Sequence, residues 1–108
     1  MPKSNHCVVL VTAPNATVAR KIAKSALEKE LIACANLVPR IESLYRWEGK
    51  IEKSNEVLMI IKTHRDKLKD LEQDVLKNHP YDTPEFVVLK IAAGNKRYLK
   101  WLSESCGA

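Results

Sequence analysis

Glycine is scarce in this sequence of 108 residues, and its scarcity excludes several classes of enzyme. Only Gly49, Gly94 and Gly107 are present, which is too few for the glycine-rich loops that hold phosphate groups in nucleotide-binding enzymes. The sequence also contains no GxSxG nucleophile elbow and no HExxH helix. We therefore assign no catalytic residue and expect a protein that is not an enzyme.

Cysteine and long apolar runs are also scarce. Cys7, Cys34 and Cys106 show no CxxC spacing, and an odd count without an apolar leader argues against a disulfide framework. We expect Cys7 and Cys34 to be buried free thiols and Cys106 to lie in the C-terminal tail. The longest apolar runs, residues 7–11 and 57–61, are far too short to span a bilayer. The expected protein is soluble and cytoplasmic, with no direct membrane insertion.

The charge balance does not point to nucleic acid. The sequence has 18 Lys and Arg against 13 Asp and Glu, a net charge of +5, and a surplus of this size is common in soluble proteins. RNA-recognition domains stack bases on aromatic side chains of their central strands. The corresponding apolar segments here, residues 7–11 and 57–62, contain no aromatic residue. We expect no nucleic-acid partner.

The order of apolar patterns predicts the element order βαββαβ followed by a short helix. Continuous β-branched runs are typical of buried strands, and apolar residues at helical spacing are typical of amphipathic helices. This order predicts a single domain over residues 1–108, of the α+β class, with a ferredoxin-like sandwich. The predicted elements are a strand over 6–12, a helix from Asn15 to about Glu30, strands over 32–47 and 51–63, a helix from Leu68 to 77–79, a strand over 85–91, and a helix containing Tyr98, Trp101 and Leu102.

The two middle strands predict an unusually long β-hairpin. Thirteen residues of strand span roughly 43 Å, whereas a compact chain of this size has a diameter of about 34 Å. The hairpin should therefore extend beyond its own domain. Because Tyr45 and Trp47 lie near its tip, we expect it to pair with another copy of the chain.

The segment Asn-His-Pro-Tyr-Asp-Thr-Pro-Glu, residues 78–85, allows two interpretations. In the first, it only shapes a turn: Pro80 ends the second helix and His79 caps free carbonyl groups there. In the second, His79 and Glu85 bind a metal, since imidazole and carboxylate are both ligands for copper or zinc. Of the other histidines, we expect His6 to be a solvent-facing strand end and His64 a solvated helix start.

Five sequence blocks resemble the motif series of the CutA family, the divalent-cation tolerance proteins. They occur in order over nearly the whole chain: LIACANLVP (31–39), SLYRWEGKIE (43–52), EVLMIIKT (56–63), HPYDTPE (79–85) and YLKWL (98–102). The resemblance implies a ferredoxin-like subunit and a homotrimer built through the hairpin, for which we name Tyr45, Trp47 and Trp101 as interface residues. It also implies a connection with copper or another divalent cation, which the fold does not require. His79 and Glu85 match the positions proposed to bind copper.

Two positions depart from the pattern of some bacterial members. Val11 stands where those members have a cysteine, and Asn78 stands where they have a further histidine. Cys7 is on the same strand, but four residues correspond to about 13 Å, too far to replace the missing thiolate. A tight, soft copper site is therefore not expected. An alternative function is a trimeric scaffold for protein partners, as in enzyme anchoring or signalling.

Overall fold

The computed structural model of the protein describes residues 4–107 and shows every predicted element. Strand four is shorter than predicted, and a short 3₁₀ turn precedes the second helix. The elements are β1 (His6–Ala13), α1 (Ala16–Glu28), β2 (Cys34–Trp47), β3 (Lys50–His64), the 3₁₀ turn (Arg65–Lys67), α2 (Leu68–Asn78), β4 (Val87–Lys90) and α3 (Lys96–Ser105).

The four strands form one antiparallel sheet in the order β2-β3-β1-β4. This is the ferredoxin-like arrangement, so the predicted fold class is confirmed. Alternate residues of β1 and β3 face α1 and α2 and form the core with them, because side chains alternate between the two faces of a strand. The core residues of these two strands are Val9, Val11, Ala13, Val57, Met59 and Ile61.

Local sequence signals set the helix starts. The side chain of Asn15 accepts a hydrogen bond from the backbone N–H of Val18 at 2.9 Å, and Asn95 does the same for Tyr98 at 3.0 Å. Each bond satisfies one of the N–H groups that have no partner in the first turn of a helix. The predicted role of Asn15 as a cap is confirmed.

The hairpin extends beyond the rest of the sheet, as predicted. Pairing of β3 with β1 ends at Ala13 and Val57, whereas within residues 4–107 the segments 41–47 and 50–56 pair only with each other. We call these two segments and the turn between them the arm. Seven residues of strand give it a length of roughly 23 Å, and the molecule measures 44 × 27 × 22 Å. A register shift between Val38 and Ile41 marks its base.

Two expectations about surface positions are wrong. Cys106 does not lie in a free tail but is fully buried against Leu102 and Ala33. His6 is not a solvent-facing strand end: it is 7% exposed, and its Nε2 forms a hydrogen bond of 2.6 Å with the hydroxyl of Ser103. Both differences arise because α3 folds back against the ends of β1 and β3, which no local pattern reveals.

The remaining predictions about thiols and histidine hold in part. Cys7 is a buried free thiol, as expected, whereas Cys34 is only half-buried. His64 precedes the 3₁₀ turn, as expected, but it is half-buried and its Nδ1 accepts the backbone N–H of Asp66 at 3.1 Å. Among residues 4–107, no helix combines the length and apolar character needed to cross a membrane.

Candidate functional site

His79 occupies the joint between α2 and the loop that leads to β4, and both of its ring nitrogens are hydrogen-bonded. Nε2 donates to the carbonyl oxygen of Thr12 at 2.8 Å, and Nδ1 accepts the backbone N–H of Tyr81 at 3.1 Å. The hydrogen of the neutral ring therefore lies on Nε2. The capped carbonyl belongs to β1 rather than to the end of α2, so the ring connects the helix layer to the sheet.

This arrangement limits His79 as a metal ligand. Coordination requires a free lone pair on a ring nitrogen, and here His79 would have to release one of its two hydrogen bonds. Among residues 4–107, no group of three or more His, Cys, Asp or Glu is placed so that it could hold a metal ion. These side chains do not form a ready-made copper site. The pair of His79 and Glu85 stays a prediction.

A cleft of about 840 Å³ lies between the arm and residues 80–85. Among the described residues that line it, four are acidic, three are aromatic and none is Lys, Arg or His. The lining residues are Thr12, Glu42, Ser43, Leu44, Tyr45, Trp47, Glu56, Pro80, Tyr81, Asp82, Thr83 and Glu85.

Strand pairing at the base of the arm positions one wall of the cleft. Glu56 lies directly opposite Ile41, immediately after the register shift, and Tyr45 and Trp47 follow at steps of two from Ser43. Residues opposite each other, and residues two apart along a strand, share one face of a sheet. The two aromatic side chains of the arm and the carboxylate of Glu56 therefore lie on the same face.

The opposite wall of the cleft is joined to Glu56 by Tyr81. Its hydroxyl donates to Oε2 of Glu56 at 2.9 Å, and its ring lies 4.6 Å from that of His79. Burial raises the pKa of Tyr81 to about 12, with a further contribution from the hydrogen bond to Glu56. Tyr81 therefore remains a neutral donor at physiological pH.

The carboxylates of the cleft have few compensating charges. Among residues 4–107, neither Glu56 nor Glu85 forms an ion pair, although Glu42 approaches Lys53 at 3.4 Å. Burial raises the pKa of Glu85, and the neighbouring charge of Glu56 raises it further. The cleft thus concentrates negative charge in a protein whose net charge is +5. A bound cation would relieve this repulsion.

The structure brings some of the named residues together and separates others. Glu85, Tyr45 and Trp47 all line the cleft, whereas Trp101 lies on α3, with its ring 5.5 Å from that of Tyr98. Sequence reasoning did not assign Glu56 to the site. The available signal was a single charge directly before the apolar run of residues 57–61, a position that turns out to be 7% exposed.

The fold and the cleft together define a class: a ferredoxin-like domain with a protruding arm and an acidic, aromatic cleft at the base of that arm. Residues 7–105 match the family described as CutA1 divalent ion tolerance protein. The chain belongs to this family, as its motifs predicted.

Curated relatives and solved structures agree with this family assignment. The chain is 46% identical over 100 residues to the divalent-cation tolerance protein CutA of Thermus thermophilus, covering 93% of this chain and 97% of the relative. It is 47% identical over 98 residues to the chloroplastic protein CutA of Arabidopsis thaliana, covering 91% of this chain but only 54% of the relative. The chain therefore spans about half the length of that plant protein.

Similarity in three dimensions extends over nearly the whole chain. The crystal structure of CutA1 from Oryza sativa superimposes with a TM-score of 0.91 at 45% identity, covering 95% of this chain and 94% of that one. A structure described as the periplasmic divalent cation tolerance protein CutA from Archaeoglobus fulgidus gives 0.91 at 40% identity, covering 94% and 98%. Since relatives are named chloroplastic and periplasmic, family membership does not fix the compartment.

Proposed function

We propose that this protein is a non-enzymatic homotrimer that contributes to the tolerance of divalent cations, and that its acidic cleft is where cations bind. The observation that carries the proposal is the presence in the cleft of two carboxylates, Glu56 and Glu85, that form no ion pair with any residue of 4–107, in a chain of the CutA1 family. The names of the relatives connect the family with divalent cations.

The apolar surface of the single chain supports the trimer. The helices cover one face of the sheet, and Leu58 and Ile60 point to the other face, because they alternate with core residues of β3. Large apolar side chains remain exposed around this face and on the arm, including Val38, Trp47, Val87 and Leu89. Apolar surface of this kind is typical of protein–protein interfaces.

The cleft supports a site dominated by carboxylate oxygen rather than by thiolate. Position 11 is a valine in the core, and Cys7 is buried on the same strand. Neither position therefore supplies a thiolate to the cleft. Carboxylate ligands suit hard or borderline divalent ions. We therefore propose that Glu85 and Glu56 bind the ion, and that His79 joins them only if it releases the carbonyl of Thr12 or the N–H of Tyr81.

Calorimetric titration with Cu(II) and Zn(II) tests the metal site. We expect Glu85→Gln to weaken binding by about tenfold or more, whereas Glu72→Gln, an exposed carboxylate on α2, should leave the isotherm unchanged. The same titration of His79→Gln shows whether the imidazole of His79 contributes to metal binding. Identical isotherms for the wild type and Glu85→Gln, or no heat of binding at all, would remove the metal site from the proposal.

A further inference from the structure

A groove of about 510 Å³ lies on the outer side of the helix layer, where α1 passes the C-terminal end of α2. The residues that line it include Arg20, Lys21, Lys24, Ser25, Glu28 and Asn78. The buried residues of α1 point to the core, and the groove lies on the other side of this helix. The proposed trimer uses the arm and the opposite face of the sheet. An assembly of that kind leaves the groove open to solvent.

The groove has an excess of positive charge that the described chain does not compensate. Arg20, Lys21 and Lys24 are all exposed, and none of them forms an ion pair within residues 4–107. Lys24 lies three residues after Lys21 and four after Arg20, so the three side chains share one side of α1. Like charges at such spacing destabilise a helix. A bound anion would relieve this repulsion.

Hydrogen bonds between the two helices fix the half-buried floor of the groove, which Ser25 and Asn78 form. The hydroxyl of Ser25 donates to a carboxylate oxygen of Asp74 at 2.9 Å, and the side-chain amide of Asn78 donates to the backbone carbonyl of Asp74 at 2.8 Å. Lys29 forms an ion pair with the same buried carboxylate. The negative charge of Asp74 is thus compensated within the chain and does not oppose an anion in the groove.

The chemistry and spacing of the basic residues suit linked phosphate groups. Guanidinium and ammonium groups both bind phosphate oxygen, the first through two parallel hydrogen bonds. Arg20 and Lys24 are about 6 Å apart along the helix axis. A chain of linked phosphates carries several negative charges over a similar length, so it can pair with these two residues and Lys21 at once. Among the described lining residues none is aromatic, so the groove offers no surface on which a base stacks.

We propose that this groove binds an oligophosphate, a soluble anion with two or three linked phosphate groups, through Arg20, Lys21 and Lys24. The inference goes beyond the proposed function, because it involves neither the acidic cleft nor a divalent cation. The volume of the groove lies within the range of small-molecule sites, about 300–1,000 Å³. All the lining residues come from one chain, so we expect one anion per subunit of the trimer.

Calorimetric titration with tripolyphosphate, in metal-free buffer at an ionic strength of about 0.1 M, tests the inference. We expect the affinity to fall about tenfold in Arg20→Gln and in Lys24→Gln, because each variant loses a charge-assisted contact. Glu28→Gln should strengthen binding, since it removes the one acidic side chain among the described lining residues. Orthophosphate should bind more weakly than tripolyphosphate. Lys69→Gln is the matched control, because it removes an exposed positive charge of α2 outside the groove.

The outcomes separate this inference from the proposed function. Sedimentation of each variant first establishes that it has the same assembly as the wild type. Binding of one tripolyphosphate per subunit, weakened in Arg20→Gln and Lys24→Gln but not in Lys69→Gln, supports the inference. No binding, one anion per trimer, unchanged binding in both groove variants, or an equal loss in Lys69→Gln overturns it. If tripolyphosphate fails while Cu(II) or Zn(II) still binds in phosphate-free buffer, only the oligophosphate inference is lost.

Discussion

His79 and His6 are both buried, and each uses both ring nitrogens in hydrogen bonds. His79 connects α2 to β1 through the carbonyl of Thr12. His6 connects β1 to α3, with Nδ1 bonded to the hydroxyl of Ser4 at 2.7 Å and Nε2 to that of Ser103. In each case the imidazole fastens elements that are distant in sequence. At the residue scale, these histidines are therefore structural in the described conformation.

Replacing His79 should lower stability whether or not a metal binds. The ring is 8% exposed, so His79→Ala removes two hydrogen bonds and leaves a cavity. We expect the free energy of unfolding to fall by about 2–3 kcal/mol in metal-free buffer, measured by urea denaturation. His79→Gln, which keeps an amide donor, should lose less stability than His79→Ala. A metal-free His79→Ala as stable as the wild type would contradict the structural role of this ring.

His6 should make stability depend on pH. Burial lowers the pKa of His6 below its ordinary value of 6.5, and the nearby ring of His64 lowers it further. Between the lowered pKa and 6.5 the unfolded chain binds more protons than the native one, so stability falls as the pH decreases through this window.

The His6→Gln variant isolates this contribution. Urea denaturation at pH values above and below 6.5 should show a weaker pH dependence for His6→Gln than for the wild type. His64→Gln is the matched control and should keep most of the dependence, because burial is the larger cause of the shift. A pH dependence identical to that of the wild type in His6→Gln would show that another group is responsible.

At the scale of single elements, α1 ends in an arrangement that usually contains glycine. The N–H of Leu31 donates to the carbonyl of Ala26 at 2.9 Å, and the N–H of Glu30 donates to that of Leu27 at 3.1 Å. These two bonds form a Schellman motif, in which the residue after the helix cap adopts a left-handed conformation. Glu30 has φ of 56° there, which is unfavourable for a residue with a side chain.

Substitution of Glu30 by glycine should therefore stabilise the protein. We expect Glu30→Gly to raise the free energy of unfolding by up to about 1 kcal/mol, because relief of the left-handed strain exceeds the added freedom of the unfolded chain. Arg20→Gly, at an exposed position inside α1, is the control and should cost about 1 kcal/mol. Urea denaturation at matched protein concentration measures both, and a destabilised Glu30→Gly would contradict the expected relief of strain.

At the scale of the whole molecule, the arm leaves apolar surface exposed in the single chain. Leu44 is 65% exposed and Ile51 is 75% exposed, and Trp47 lies between them near the tip. In the part of the chain that the structure describes, residues 41–47 and 50–56 form no pairing with β1 or β4. Two-stranded ribbons are only marginally stable by themselves. Contact with another copy of the chain would therefore stabilise the arm by covering its apolar side chains.

The proposed trimer can be disrupted at one position. We expect the wild type to sediment as a trimer that persists on dilution, and Trp47→Glu to dissociate, because a charge would be buried between chains. Leu76→Glu is the control: Leu76 is 47% exposed but lies on α2, on the opposite side of the sheet, so the trimer should be retained. A wild-type monomer at micromolar concentration would overturn the proposed assembly.

Local patterns in the sequence were sufficient to predict the helices and strands, the fold class and the family. Asn15 caps α1 as predicted, the buried run of β1 lies in the middle of the sheet, and the lengths of β2 and β3 give the overhanging arm. These features depend on residues close together in the chain, through capping, alternation and strand rise. The five motif blocks likewise identified the CutA1 family, which the comparison over residues 7–105 confirms.

Which residues come together around the cleft could be seen only in the tertiary structure. Tyr81 meets Glu56 from 25 residues away, and His6 meets Ser103 from 97 residues away, so no local spacing predicted either contact. Sequence alone selected Glu85, Tyr45 and Trp47, but only the folding of residues 80–85 against the arm places them around one cleft with Glu56. Ligand type is visible in a sequence because it belongs to single residues. Whether an imidazole has a free lone pair, or a carboxylate a free oxygen, depends on the neighbours that the fold supplies.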